Sequence, residues 1–146
     1  MIERYRDGVV PSGEPPAELV TEFDGLAEAV RGHIDAVELT AALDEIWTRI
    51  KRLNRYVQDE EPWRLAKDDA EADHLDQVLY TLAEGLRVVS VLLHAFMPGS
   101  AERMLTALDR PGLSLDEARL GAADGGAKVG ELGQLFPRVE AEAPAV

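Results

Sequence analysis

Residues 39–67 read LTAALDEIWTRIKRLNRYVQDEEPWRLAK, and the first two-thirds of this stretch decides the fold. Leu39, Leu43, Ile46, Ile50, Leu53 and Val57 recur at alternating steps of four and three. That period gathers the apolar side chains on one side of a helix, as in the seam of a helix bundle. The helix must end before Pro62, because proline has no N–H to donate and pushes its predecessor out of the α region. Trp63 to Lys67 then makes a tight corner or a single turn.

Upstream, Leu19, Phe23, Leu26, Val30 and Ile34 form a second apolar stripe, read as one helix. Asp35 with Glu38 has the spacing of a capping box that opens the Leu39 helix. Met1 to Arg6 reads as a short helix closed by Asp7-Gly8, with Pro11 blocking its continuation. Ser12 to Pro16 is a loop. Downstream, Asp68 with Glu71 caps a further helix whose stripe is Leu75, Val78, Leu79, Leu82, Leu86, Val89, Leu93 and Phe96. Pro98 ends it and starts a short helix through Leu108. After Pro111 the pattern weakens. Ser114 caps one turn over Leu115 to Leu120, Gly121 to Gly126 is a flexible linker, Lys128 to Glu140 is extended, and Ala141 to Val146 is a frayed tail. The expected fold class is all-α, an antiparallel helix bundle over residues 1–110 with a C-terminal segment, 111–146, of one short turn followed by extended chain. No internal repeat stands out.

A chain of 146 residues buries one core and has no room for a nucleotide-binding catalytic domain beside it. The absence of cysteine excludes disulfides and thiolate metal sites and is compatible with a reducing cytoplasm. The opening residues are too polar for a signal peptide, so the expected localisation is cytoplasmic. The most apolar stretch, Val88 to Met97, is interrupted by Ser90 and His94 and is too short to span a bilayer. The net charge of −13 disfavours non-specific binding to nucleic acid or anionic membranes. Its distribution matters more than its size. Six basic residues (Arg49, Lys51, Arg52, Arg55, Arg64, Lys67) face three acids between 49 and 67, a local excess of +3, so the remainder carries −16. A basic patch on an acidic body suits one restricted anionic partner.

The stretch from Asn54 to Lys67 carries the functional signal. A tryptophan that follows a proline at a helix corner is held in one orientation. A fixed aromatic face beside guanidinium groups suits unstacked RNA bases, which are read by stacking and by hydrogen bonds to their edges. Each such stack is worth about 1–3 kcal/mol. Arg52, Arg55 and Lys51 lie off the apolar seam, so they can point to phosphates, and Arg64 and Lys67 flank the indole of Trp63. Two simpler readings stand beside this one. A Pro-Trp corner also serves as a core plug, and basic residues opposite an apolar stripe also form an ordinary solvated face. Asn54, late in its helix, has a structural reading as the residue that holds the Pro62-Trp63 corner.

Asn54-Arg55-Tyr56 with Pro62-Trp63-x-Leu65-Ala66-Lys67 resembles the anticodon-binding helical domain of class I aminoacyl-tRNA synthetases, and most of all that of the methionyl-tRNA synthetases. Three further stretches agree in order: Arg4-Tyr5-x-Asp7-Gly8-Val9-Val10-Pro11, then Val78 to Glu84 with Ala95-Phe96-Met97-Pro98, then Lys128-Val129-Gly130 with Leu135-Phe136-Pro137-Arg138. The resemblance implies a bundle of the class I anticodon-binding type, with Trp63 stacked on an anticodon base and helping to select CAU. It implies as partners the anticodon loop of tRNA(Met) and the catalytic domain of a parent synthetase, towards which the C-terminal segment runs. It also implies ATP and methionine for the parent, with no cofactor in this chain. The family's Asn-Leu-x-x-Arg stretch is absent, its expected place lying just upstream of Met1, and Arg6 stands where the family usually carries an aromatic residue. The first helix is therefore expected to be truncated.

The catalytic signatures of class I synthetases do not occur, so no catalytic residue is assigned and the chain alone is expected to be silent. His33, His74 and His94 have no mutual ligand spacing, and no metal site is assigned. The alternative function from another class is a helical protein-interaction or dimerisation module, with self-association through an exposed apolar seam.

Overall fold

The computed structural model describes residues 1–136, and all that follows concerns those residues. Seven α-helices form the bundle: α1 (Ile2–Arg6), α2 (Ala17–Phe23), α3 (Leu26–Asp35), α4 (Leu39–Glu60), α5 (Pro62–Leu65), α6 (Ala72–Leu93) and α7 (Pro98–Ala107). Two 3₁₀ turns, Asp69–Glu71 and Leu115–Glu117, complete the regular structure. Among the described residues the only β pairing is an isolated antiparallel bridge between Val9 and Lys128. The helix-bundle fold class holds.

The middle of the molecule is α6, with helices on several sides. Its sequence from Val78 to Leu93 is apolar apart from Glu84 and Arg87 and small polar residues, and nearly every side chain there is buried. Such all-round apolarity marks a central helix. α4 crosses it closely at Gly85, where a methyl group would come within 2.6 Å of Leu53. The glycine lets the Leu53 side chain rest on the backbone of α6.

Four local expectations are corrected by the structure. The stripe from Leu19 to Ile34 is two helices, because Asp24 is extended and Gly25 takes φ +69°. The break lets Leu19, Phe23, Leu26 and Val30 all stay buried while the axis changes direction. The Asp35/Glu38 capping box does not form. Val37 takes φ +61°, and the Glu38 carboxylate instead lies 2.8 Å from His33 Nδ1. The buried seam of α4 is Ala42, Ile46, Leu53 and Tyr56, while Leu39 is half exposed. The small Ala42 and the long Tyr56 fit against the neighbouring helices, which rotates the seam from its periodic estimate. α6 ends at Leu93, before Phe96, with Asp68 capping the 3₁₀ turn ahead of the helix through the N–H of Ala70.

The glycine-rich stretch 121–126 is not a free linker. Glu84 and Arg87 form a buried ion pair, and together they hold this stretch and the turn before it. Glu84 accepts hydrogen bonds from the N–H groups of Gly121 and Ala123, and Arg87 donates to the carbonyls of Glu117 and Arg119. Tyr80 and Arg110 add bonds to the carbonyls of Ala123 and Asp124. Beyond it, residues 126–129 pair with Gly8 to Val10, which ties the two ends of the described chain together. The extended reading of Lys128 to Glu140 is met by this pairing only at its start. Its part from 137 onward, the Pro137-Arg138 match and the frayed tail lie outside the described residues.

Candidate nucleic-acid interface

The corner that carries Trp63 is built from backbone strain and buried apolar atoms. α4 ends at Glu61, whose φ of +46° and ψ of +59° are left-handed, a rare conformation for a residue with a side chain. The reversal places Pro62 at the first position of α5, where its missing N–H costs nothing. Pro62 and Leu65 are buried and anchor the turn. The N–H groups of Arg64 and Leu65 close it by donating to the carbonyl of Glu61. Trp63, between two anchors, points outward and is 46% exposed. The core-plug reading therefore fails, since a plug would be enclosed.

The basic residues around this corner fall into two groups. Arg52 is engaged inward: its Nε donates to Glu22 at 2.9 Å and its Nη2 to Glu18 at 3.1 Å. The hydrogen bond to Glu22 is the largest cause of a raised pKa for its guanidinium, opposed by some desolvation. Arg49 likewise pairs with Glu45 and donates to the Glu22 carbonyl. These two arginines brace α4 against α2. Arg55 and Arg64 are exposed, with loose partners one turn away in Asp59 at 3.6 Å and Glu61 at 3.1 Å. Lys51 and Lys67 are exposed and have no ion-pair partner among the described residues. The side chain of Asn54 is exposed and makes no hydrogen bond among the described residues, so it does not hold the corner. Glu61 and Pro62 do that instead.

Two features escaped the sequence reading. Trp47 is 48% exposed on the outer side of α4. Its signal was available, because it stands four residues before Lys51 and seven before Asn54 and so shares their face. The Glu84–Arg87 pair was signalled by two opposite charges three apart in an otherwise apolar run.

The three histidines lie in surface pairs with carboxylates. His33 lies by Glu38, His74 by Glu60 and Glu71, and His94 by Glu102. Among the described residues no cluster of His, Asp and Glu has the geometry to hold a metal ion, and no helix is long and apolar enough to cross a membrane.

Similarity to known proteins agrees with this architecture over almost the whole chain. The family model described as the anticodon binding domain of methionyl tRNA ligase matches residues 9–143. The methionine–tRNA ligase of Clostridium tetani is 36% identical over 98% of the chain, and that of Deinococcus radiodurans 37% over 98%. The chain spans only 23% and 22% of the length of these two relatives. The crystal structure of the free state of Mycobacterium tuberculosis methionyl-tRNA synthetase superposes with a TM-score of 0.80 at 30% identity, covering 97% of this chain and 30% of that one. A helical bundle that offers an indole at a proline corner and matches this model from Val9 onward leaves one assignment: the chain belongs to the family of anticodon-binding domains of methionyl-tRNA ligase.

Proposed function

We propose that this domain reads the anticodon loop of tRNA(Met), with Trp63 stacked on an anticodon base and helping to select CAU. One observation carries the reading: in a member of an anticodon-binding family, the proline corner presents a half-exposed indole between two buried anchors. A ring held in this way loses little conformational freedom on binding, so more of the stacking energy remains as affinity. Lys51, Arg55, Arg64 and Lys67 supply positive charge for phosphates, and Asn54 offers an amide to a base edge. Arg52 supports them indirectly, by fixing α4 on α2. The domain contributes binding energy and register, while the chemistry of joining methionine to tRNA at the expense of ATP belongs to the rest of the synthetase.

A second reading draws on a specific observation. An apolar groove of about 300 Å³ lies between α1 and α6, lined by Met1, Ile2, Leu79, Leu82, Leu86, Leu108 and Val129. It favours protein contact, with a second copy of this chain or with the rest of the synthetase as the occupant. The experiment that tests the main reading is a comparison of tRNA(Met) with a variant altered only in the anticodon, for the wild-type chain and Trp63→Ala. RNA binding indifferent to both changes overturns it. Dimerisation without RNA affinity favours the interaction module.

A further inference from the structure

We infer that the RNA surface continues about 20 Å up α4 from the Trp63 corner, and that Trp47 is a second stacking platform for an unpaired nucleotide outside the anticodon. The inference rests on the tRNA reading given above and extends it. Trp47, Lys51, Asn54 and Gln58 follow one another at steps of four, three and four, so they form a single row on the helix. All four are exposed, and none makes a side-chain hydrogen bond or ion pair among the described residues. The row lies away from the buried seam of Ala42, Ile46, Leu53 and Tyr56, so no helix of the bundle covers it.

The chemistry of the row selects its occupant. It combines one aromatic face, one free ammonium and two amide groups, with no acid within the row itself. A protein-docking stripe would carry further apolar neighbours at these steps, whereas here the positions after Trp47 are all polar. Single-stranded nucleic acid needs a ring for the base, a cation for the phosphate and amides for base edges. On a domain of net charge −13, the ammonium of Lys51 offsets the exposed Asp44 that precedes Trp47 on the same face, so the row meets a polyanion without a net negative charge. The row runs towards Glu61 and the Trp63 turn, so one RNA loop can engage both ends. The rise from Trp47 to the end of the helix is about 20 Å, at about 1.5 Å per residue, which is too far for one stacked base.

The chain has two tryptophans, which makes a direct test possible. In Trp63→Phe, Trp47 is the sole indole, and its emission is titrated with the tRNA(Met) anticodon stem–loop. The inference expects quenching that saturates with binding. It expects affinity to fall about tenfold in Trp47→Ala, with the anticodon preference unchanged, and to be largely restored in Trp47→Phe, since about 1.4 kcal/mol corresponds to a factor of ten. Thermal melts confirm that each variant is folded. If Trp63→Ala weakens binding while Trp47→Ala binds like wild type and Trp47 emission is unmoved, this inference fails and the anticodon reading stands. If no variant alters affinity, or no RNA binds, the anticodon reading itself has failed. A change in Trp47 emission with protein concentration alone makes the row a self-association face and also overturns the inference.

Discussion

Replacing Glu84 by Leu tests whether the C-terminal segment is held to the bundle by one buried ion pair. Glu84 is 4% exposed and Arg87 6%. The carboxylate accepts from Arg87 Nε at 2.7 Å, Arg87 Nη2 at 2.9 Å, Gly121 N at 3.1 Å and Ala123 N at 3.2 Å. Without it, the guanidinium keeps only the carbonyls of Glu117 and Arg119, and two backbone N–H groups lose their acceptor. Breaking one side of such a pair costs about 3–5 kcal/mol, and each orphaned N–H adds about 1–3 kcal/mol unless it reaches water. Gly121 is exposed and Ala123 half-buried, so their N–H groups reach water and recover part of this, while the buried Ala118 and Leu120 keep the turn on the bundle. The expected net loss is therefore near the lower figure, about 3 kcal/mol, or about 6–12 °C in Tm for a domain of this size. Urea denaturation of wild type, Glu84→Leu, Arg87→Met and the double variant gives the cycle, with the double expected to be less destabilised than the single changes add up to. Hydrogen exchange at Gly121 and Ala123 should accelerate in Glu84→Leu. A loss below about 1 kcal/mol with unchanged exchange at both amides would refute the clamp.

Gly85→Ala places a methyl group 2.6 Å from Leu53 Cδ2, so the α4–α6 crossing should lose about 1–2 kcal/mol, and Leu53→Ala should abolish that penalty in a denaturation cycle. The phenol of Tyr56 is pushed up to about 12 by burial first and by the charge of Glu60 second. Its folded pKa lies above the unfolded value of about 10, so its contribution is intact below pH 10 and is lost as the pH rises towards 12. Tyr56→Phe should flatten alkaline unfolding in that window, and an unchanged profile would count against the assignment. Lys51→Ala should lower the slope of log affinity for tRNA against log salt by about one, whereas Arg52→Ala should leave the slope alone and cost stability instead. Equal slope changes for the two would remove the distinction between phosphate contact and helix brace.

The helices were legible because their apolar residues recur at the helical period, and the end of α4 was legible because Pro62 cannot continue it. The break at Asp24-Gly25 was not, since the stripe passes through it without losing register. Rotation of the α4 seam was hidden for a different reason. Periodicity gives a face to within a sector, and the burial of Ala42 in place of Leu39 depends on how the neighbouring helices pack on α4, a tertiary fact. The exposure of Trp63 followed from the proline corner only as one of two readings, plug or platform. Arg52 read as a free cation because Glu18 and Glu22 are thirty or more positions away, and only the packing of α2 on α4 brings them to it. The family assignment was legible because its motifs are short, ordered and anchored on residues with stringent backbone roles, such as Pro62 and Gly8.

The most direct measurement is the affinity of wild type and Trp63→Ala for tRNA(Met) and for the same tRNA with a changed anticodon, at fixed salt. The account predicts that wild type prefers the native anticodon. Trp63→Ala should bind it about 5- to 150-fold more weakly, the equivalent of one stacked base, and should lose most of the preference. Equal affinities of wild type and Trp63→Ala for the native tRNA would contradict the account at its centre.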